Sequence, residues 1–73
     1  MPKFCEEHVG TAARELAVRP RPWAPGFDPA VVARAERLEL WCQGEGDDAS
    51  DIYDEWRLYD AAGATLARTR VRF

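Results

Sequence analysis

Lysine occurs once in this chain, histidine once, serine once and methionine once. These scarcities exclude a good deal. Catalysis by a nucleophile and a base has little to draw on, since the only histidine is His8 near the start and the only serine is Ser50 inside an acidic stretch. Pocket volume is scarce as well in 73 residues. No apolar run approaches the roughly 18 residues of a membrane span, and the opening MPKFCEEH has no signal-peptide core, so a cytoplasmic protein with no membrane partner is expected. Two cysteines, Cys5 and Cys42, are too few for a disulfide framework, and without a signal peptide they are expected as free thiols.

What is present suits one small globular domain. Hydrophobic residues make up 47% of the chain and include three Trp, two Tyr and three Phe, too much apolar mass for a disordered tail. A domain of this size buries only about 60% of its unfolded surface, which leaves a stability of roughly 3–5 kcal/mol. The net charge of −3 is segregated. Residues 45–55 are acidic, whereas Arg68, Arg70 and Arg72 close the chain. A divided surface of this kind favours a protein partner, with nucleic acid disfavoured as sole ligand, because bare DNA selects a basic face. A monomer is expected.

Residues 1–22 read as a mobile arm leading into a proline-rich connector. Val9, Ala12, Ala13 and Leu16 have helical spacing, but Gly10 and Thr11 interrupt it, which leaves a short helix over residues 12–18 that depends on packing. RPRPWAPGFDP, residues 19–29, holds four prolines and reads as a polyproline-like connection. Residues 23–73 read as the folded domain. Asp28-Pro29 starts a helix of one or two turns, since Asp caps free N–H groups and Pro suits the first helical position. RLELWCQ then alternates Leu38, Leu40 and Cys42 against Arg37, Glu39, Trp41 and Gln43, the period of a strand. IYDEWRLYD and ATLARTRVRF are further strands, joined by DAAG as a type I turn into a bulged hairpin. Pairing Asp60 with Ala64 sets Leu58 by Leu66, Trp56 by Arg68 and Asp54 by Arg70. On the other face it sets Tyr59 by Thr65, Arg57 by Ala67 and Glu55 by Thr69. Both faces then carry apolar groups. The predicted fold is α+β: a short helix packed on a three-stranded antiparallel meander, with a flexible N-terminal arm.

Four groups of residues hold candidate chemistry. GEGDDASDIYDE, residues 44–55, is a solvated loop or a surface for a basic partner through Glu45, Asp47, Asp48 and Asp51. Its glycines precede the acids and Ile52 and Tyr53 interrupt them, so it departs from the calcium-loop template. Cys5, His8 and Cys42 form an incomplete zinc set, and no metal or cofactor is expected to be needed. Arg19, Arg21 and Trp23 lie among prolines and offer charge with an aromatic anchor at low ordering cost, unless Trp23 and Phe27 fold back onto the core. Arg68, Arg70 and Arg72 project from one side of a strand, where they either pair across the sheet and stack on Trp or contact a ligand.

In size and design, with RPRPW and the terminal arginines as its pointed features, the chain resembles the small phage-encoded proteins that bind host RNA polymerase. An Arg:Lys ratio of nine to one also matches GC-rich coding. The resemblance implies a non-enzymatic regulator that inhibits or redirects transcription by contacting polymerase subunits. Two other readings stand beside it: a nucleic-acid-binding domain using the arginine strand, and an antitoxin or immunity-type inhibitor using the acidic loop.

Overall fold

The computed structural model describes residues 3–22, 24–43 and 53–72. Among these residues four strands and two helices follow the order β1 (Lys3–Val9), α1 (Gly10–Ala17), α2 (Pro29–Val32), β2 (Ala35–Gln43), β3 (Tyr53–Asp60) and β4 (Thr65–Arg72). The strands form one antiparallel sheet in the order β1-β2-β3-β4. The α+β class is as expected, but the sheet has a fourth strand. Residues 3–17, expected as an arm, are an edge strand and a helix.

The reason the strand hides from pattern reading is physical. From Lys3 to Glu7 every β1 residue is exposed, so no alternation of apolar groups marks it. It is a strand because its backbone completes the edge of β2, from Lys3 opposite Cys42 to Val9 opposite Arg37. Cys5 is the extra residue of a bulge between Phe4 and Glu6, and there it is joined to Cys42 in a disulfide, so neither cysteine is free. The expectation of free thiols rested on there being only two cysteines and no signal-peptide core, and neither bears on two residues 37 apart whose strands become neighbours.

Gly10 turns the chain from β1 into α1 with φ +57, a conformation that side chains resist. α1 begins two residues before the predicted helix, and its fully buried Ala13 and Ala17 stand one turn apart. Their small side chains let the helix lie close to the sheet, and Arg14 fastens it by donating to the Ala35 carbonyl at 2.8 Å and to Glu36 Oε1 at 3.2 Å. The connector then folds back: Phe27 N–H donates to the Ala17 carbonyl at 2.8 Å, and Ala24, Pro25 and Phe27 are buried. Asp28 caps α2 as predicted, accepting from Ala30 N–H at 2.9 Å with Pro29 in the first turn. That helix lasts a single turn.

The apolar cluster consists of Ala13, Ala17, Phe27, Val32, Ala35, Leu38, Trp56 and Leu58. It identifies the inner face of the sheet, where Leu38 opposes Leu58 and Leu40 opposes Trp56. At the β3–β4 turn Asp60 accepts from Ala62 and Ala64 N–H, both at 2.9 Å, and Gly63 takes φ +85, as the DAAG signature requires. Beyond it the register departs from expectation. Tyr59 opposes Thr65, but Leu66 is an extra residue, so Leu58 opposes Ala67, Arg57 opposes Arg68, Trp56 opposes Thr69 and Glu55 opposes Arg70. The bulge sits inside β4, where Leu66 packs against the core, and it shifts every later pair by one.

Candidate interaction surface

With the helices on the inner face, the alternate residues of each strand make an outer face: Phe4, Glu7 and Val9 on β1, Arg37, Glu39 and Trp41 on β2, Glu55, Arg57 and Tyr59 on β3, and Thr65, Arg68 and Arg70 on β4. No described helix packs on it. At its centre is Glu55, with only 2% of its surface exposed. Its Oε2 accepts from Arg57 Nε at 3.0 Å and Nη2 at 2.9 Å, and its Oε1 accepts from Arg68 Nε at 2.9 Å and Nη2 at 2.7 Å. Burial pushes the Glu55 carboxyl up, but the hydrogen bonds and charges of Arg68 and Arg57 outweigh it, and the net effect holds the group below the ordinary glutamate range.

The two guanidiniums are set in place by this clamp and carry it outward. Arg57 lies over the Trp41 ring at 4.6 Å, and Phe4 meets the same ring edge-on at 5.5 Å. Trp41 Nε1 donates to Glu39 Oε1 at 3.0 Å. Glu39 in turn faces Arg37 Nε at 3.2 Å, while the Arg37 guanidinium stacks 4.6 Å from the Tyr59 ring centre. Arg37 Nε is buried and that approach lacks hydrogen-bond alignment, so charge and stacking hold the side chain. Burial, then the hydrogen bond and charge of Glu39, raise the Tyr59 hydroxyl above its usual range. The result is one connected row across the sheet, Phe4–Trp41–Arg57–Glu55–Arg68, which is fixed within and exposed at both ends: Phe4 is 46% exposed and the Arg68 side chain 54%.

The sequence candidates are distributed unevenly over this surface. Arg68 and Arg70 share one face, as their alternation implied, but it is the outer face and not the face of Leu58 and Trp56 expected for them; there Arg68 is clamped to Glu55 and Arg70 opposes Glu55 in register. Asp54, expected to neutralise Arg70, belongs to the inner face opposite Val71, where burial and then the charge of Glu6 push its carboxyl up. The arginine stacked on tryptophan is Arg57 on Trp41; Trp56, expected in that role, is a core residue. Arg72 ends β4. Arg21 is a brace, donating from Nε to the Pro25 carbonyl at 3.0 Å and from Nη2 to Thr69 Oγ1 at 2.9 Å. Arg19 is exposed and, with His8, Ala12, Glu15 and Leu16, lines a shallow groove of about 230 Å³ between α1 and β1. Trp23, Glu45, Asp47, Asp48 and Asp51 lie outside the described residues.

Sequence reasoning missed Trp41, Arg57 and Glu55 as members of the outer face. A signal for the first was there: in RLELWCQ, Arg37, Glu39 and Trp41 alternate against the leucines, which puts a tryptophan among ions on a face that small helices leave uncovered. Both cysteines are spent on each other, so the Cys5, His8 and Cys42 set offers no thiolate; His8 instead donates to Glu6 at 3.1 Å. Among the described residues no three His, Cys, Asp or Glu side chains gather as metal ligands, and no helix is long and apolar enough to cross a membrane. Comparison with family models, with curated proteins and with solved structures finds no match.

Proposed function

We propose that this chain is a small non-enzymatic binding module that docks a protein partner through the outer face of its sheet. The clamp on Glu55 is the observation that carries it. It orders Arg57, Arg68 and, through stacking, Trp41 before any partner arrives, so little side-chain entropy remains to be lost on docking. Trp and Arg are the residues most often found at the energetic centre of protein interfaces. The partner this face fits offers carboxylates beside an apolar patch: the carboxylates meet Arg68 and Arg70, the apolar patch meets Phe4. Glu7 and Glu39 stand on the same face, and a phosphate backbone crossing the sheet would meet their charge.

The narrower reading is a regulator that contacts a bacterial RNA polymerase subunit and inhibits or redirects transcription. It is supported by size, charge division and the absence of catalytic machinery in the sequence. Disulfides persist in oxidising compartments, whereas polymerase works in the reducing cytoplasm, so this reading requires the reduced chain to bind as well. Titration of labelled protein with purified polymerase holoenzyme, with and without reductant, tests it. Trp41→Ala with Arg68→Ala is expected to weaken binding by about tenfold or more. A submicromolar complex with random single-stranded DNA, lost in the same variant, would make the face a nucleic-acid platform. Polymerase binding unaffected by the substitutions would move the docking surface to the acidic residues 45–51 or the connector.

A further inference from the structure

Strand β1 is attached to the molecule differently at its two ends. From Glu6 to Val9 it pairs in unbroken register with Leu40 to Arg37, and Gly10 leads directly into α1, whose Ala13 and Ala17 are fully buried. Cys5 is the bulge residue, and Lys3 and Phe4 lie beyond it. No β1 residue belongs to the apolar cluster, and Lys3, Phe4 and Cys5 are all exposed. What holds them is a short piece of ladder opposite Trp41 and Cys42, the edge contact of Phe4 with Trp41, and the disulfide.

A short edge segment with no buried side chain opens easily, because ordering it costs backbone entropy that neither packing nor core burial offsets. The covalent bond removes that freedom at the one place where the ladder is irregular. We infer that Cys5–Cys42 is a thiol-responsive latch that decides whether residues 3–5 stay on the sheet. In the reductive step a thiolate of a dithiol reductant attacks the exposed Cys5 sulfur and Cys42 leaves as a thiolate that takes up a proton. The second thiol of the reductant then displaces Cys5, which is also protonated, and the reductant ends as its own disulfide; two electrons and two protons pass to the chain. Residues 3–5 leave the edge of β2, Phe4 leaves Trp41, and the sheet from β2 to β4 with its helices remains. The inference stands whatever the outer face binds.

NMR of the full chain, oxidised and after dithiothreitol, tests the latch, with the Cys5→Ser/Cys42→Ser variant as a second route to the open state. Reduction is expected to abolish the proton contacts between Phe4 and Trp41 and to lower backbone order at residues 3–5 to that of an unpaired segment. The contacts of Glu7 with Glu39 and of Leu38 with Leu58 should persist in both samples. Retention of the Phe4–Trp41 contacts in the reduced protein and in the double variant would overturn the inference. So would simultaneous loss of all cross-strand contacts, since the bond would then be a staple for the whole fold.

Discussion

On the inner face of the sheet, Leu38 and Leu58 are fully buried against alanines of α1 and Val32 of α2; on the outer face the most buried residue is an ion, Glu55. The same strands supply both. The inner face is held by removal of apolar area from water, a force without direction that tolerates alanine so long as volume is filled. The outer face is held by directed contacts, each donor aimed at one oxygen or one ring. In so small a domain the two kinds of order are thus divided between the faces: the inner face supplies the apolar burial, and the outer face a fixed arrangement of charges and rings, on which the docking proposed above rests.

Truncation in each face should break the molecule in a different way. Leu58→Ala is expected to cost about 4 kcal/mol, the loss of transfer energy plus a cavity in a site with no slack, and so to leave the chain largely unfolded in water. Circular dichroism with a urea titration reads this directly. A cost under about 1 kcal/mol would mean that the alanine-lined core collapses around the gap.

Glu55→Gln should come next, at about 3 kcal/mol, because two guanidiniums lose their shared counter-charge while one of them, on Arg57, remains mostly buried. The cost has a pH signature. The folded state holds the Glu55 carboxyl below its ordinary range, so its stabilisation is complete above the unfolded value and fades as pH falls through the folded one. Wild type and variant should therefore differ most at neutral pH and draw together as pH falls below the ordinary glutamate range toward the lowered folded value. Parallel curves over that range would show that charge is not what the pair contributes.

How much of this could be read beforehand depends on range. The Asp28-Pro29 cap and the Asp60 to Gly63 turn were legible because every atom involved lies within four residues. The alternation in residues 37–43 and 53–60 gave the strands of the sheet's middle. β1 was not legible, since a strand with exposed side chains differs from a loop only in what its backbone pairs with. The β3–β4 register was lost at Leu66, because counting outward from a turn assumes no extra residue and the core's need for a leucine inserts one. For the surface, Arg68 and Arg70 were visible as an alternating pair. Their relation to Glu55 and Trp41 came only with the bulge that moved them by one position.

Arg68→Ala separates folding from recognition. Its side chain is more than half exposed and Glu55 keeps Arg57, so the stability cost should be about 1 kcal/mol or less. Melting and partner titration on the same sample check this. Loss of binding with the fold intact is expected. A collapse of stability equal to that of Glu55→Gln would mean that the two arginines are not independent supports.

The smallest effect should have the opposite sign. Asp54 is an ionisable group on the inner, helix-bearing face, where burial and then the nearby Glu6 charge raise its carboxyl above the ordinary aspartate range. A carboxyl raised on folding favours the protonated folded state, so the fold gains from it at acid pH and loses that gain as pH rises through the folded value. At neutral pH Asp54 is thus an ion where the inner face would prefer none. Asp54→Asn removes the charge while keeping size, and is expected to raise the melting temperature slightly at pH 7 and to leave it unchanged or lower at about pH 3. Glu6→Gln should give a weaker rise at neutral pH, because it removes only the second of the two causes. If Asp54→Asn destabilises at neutral pH, then its carboxylate has a stabilising partner, and the inner face too is held in part by a directed contact of the kind found on the outer one.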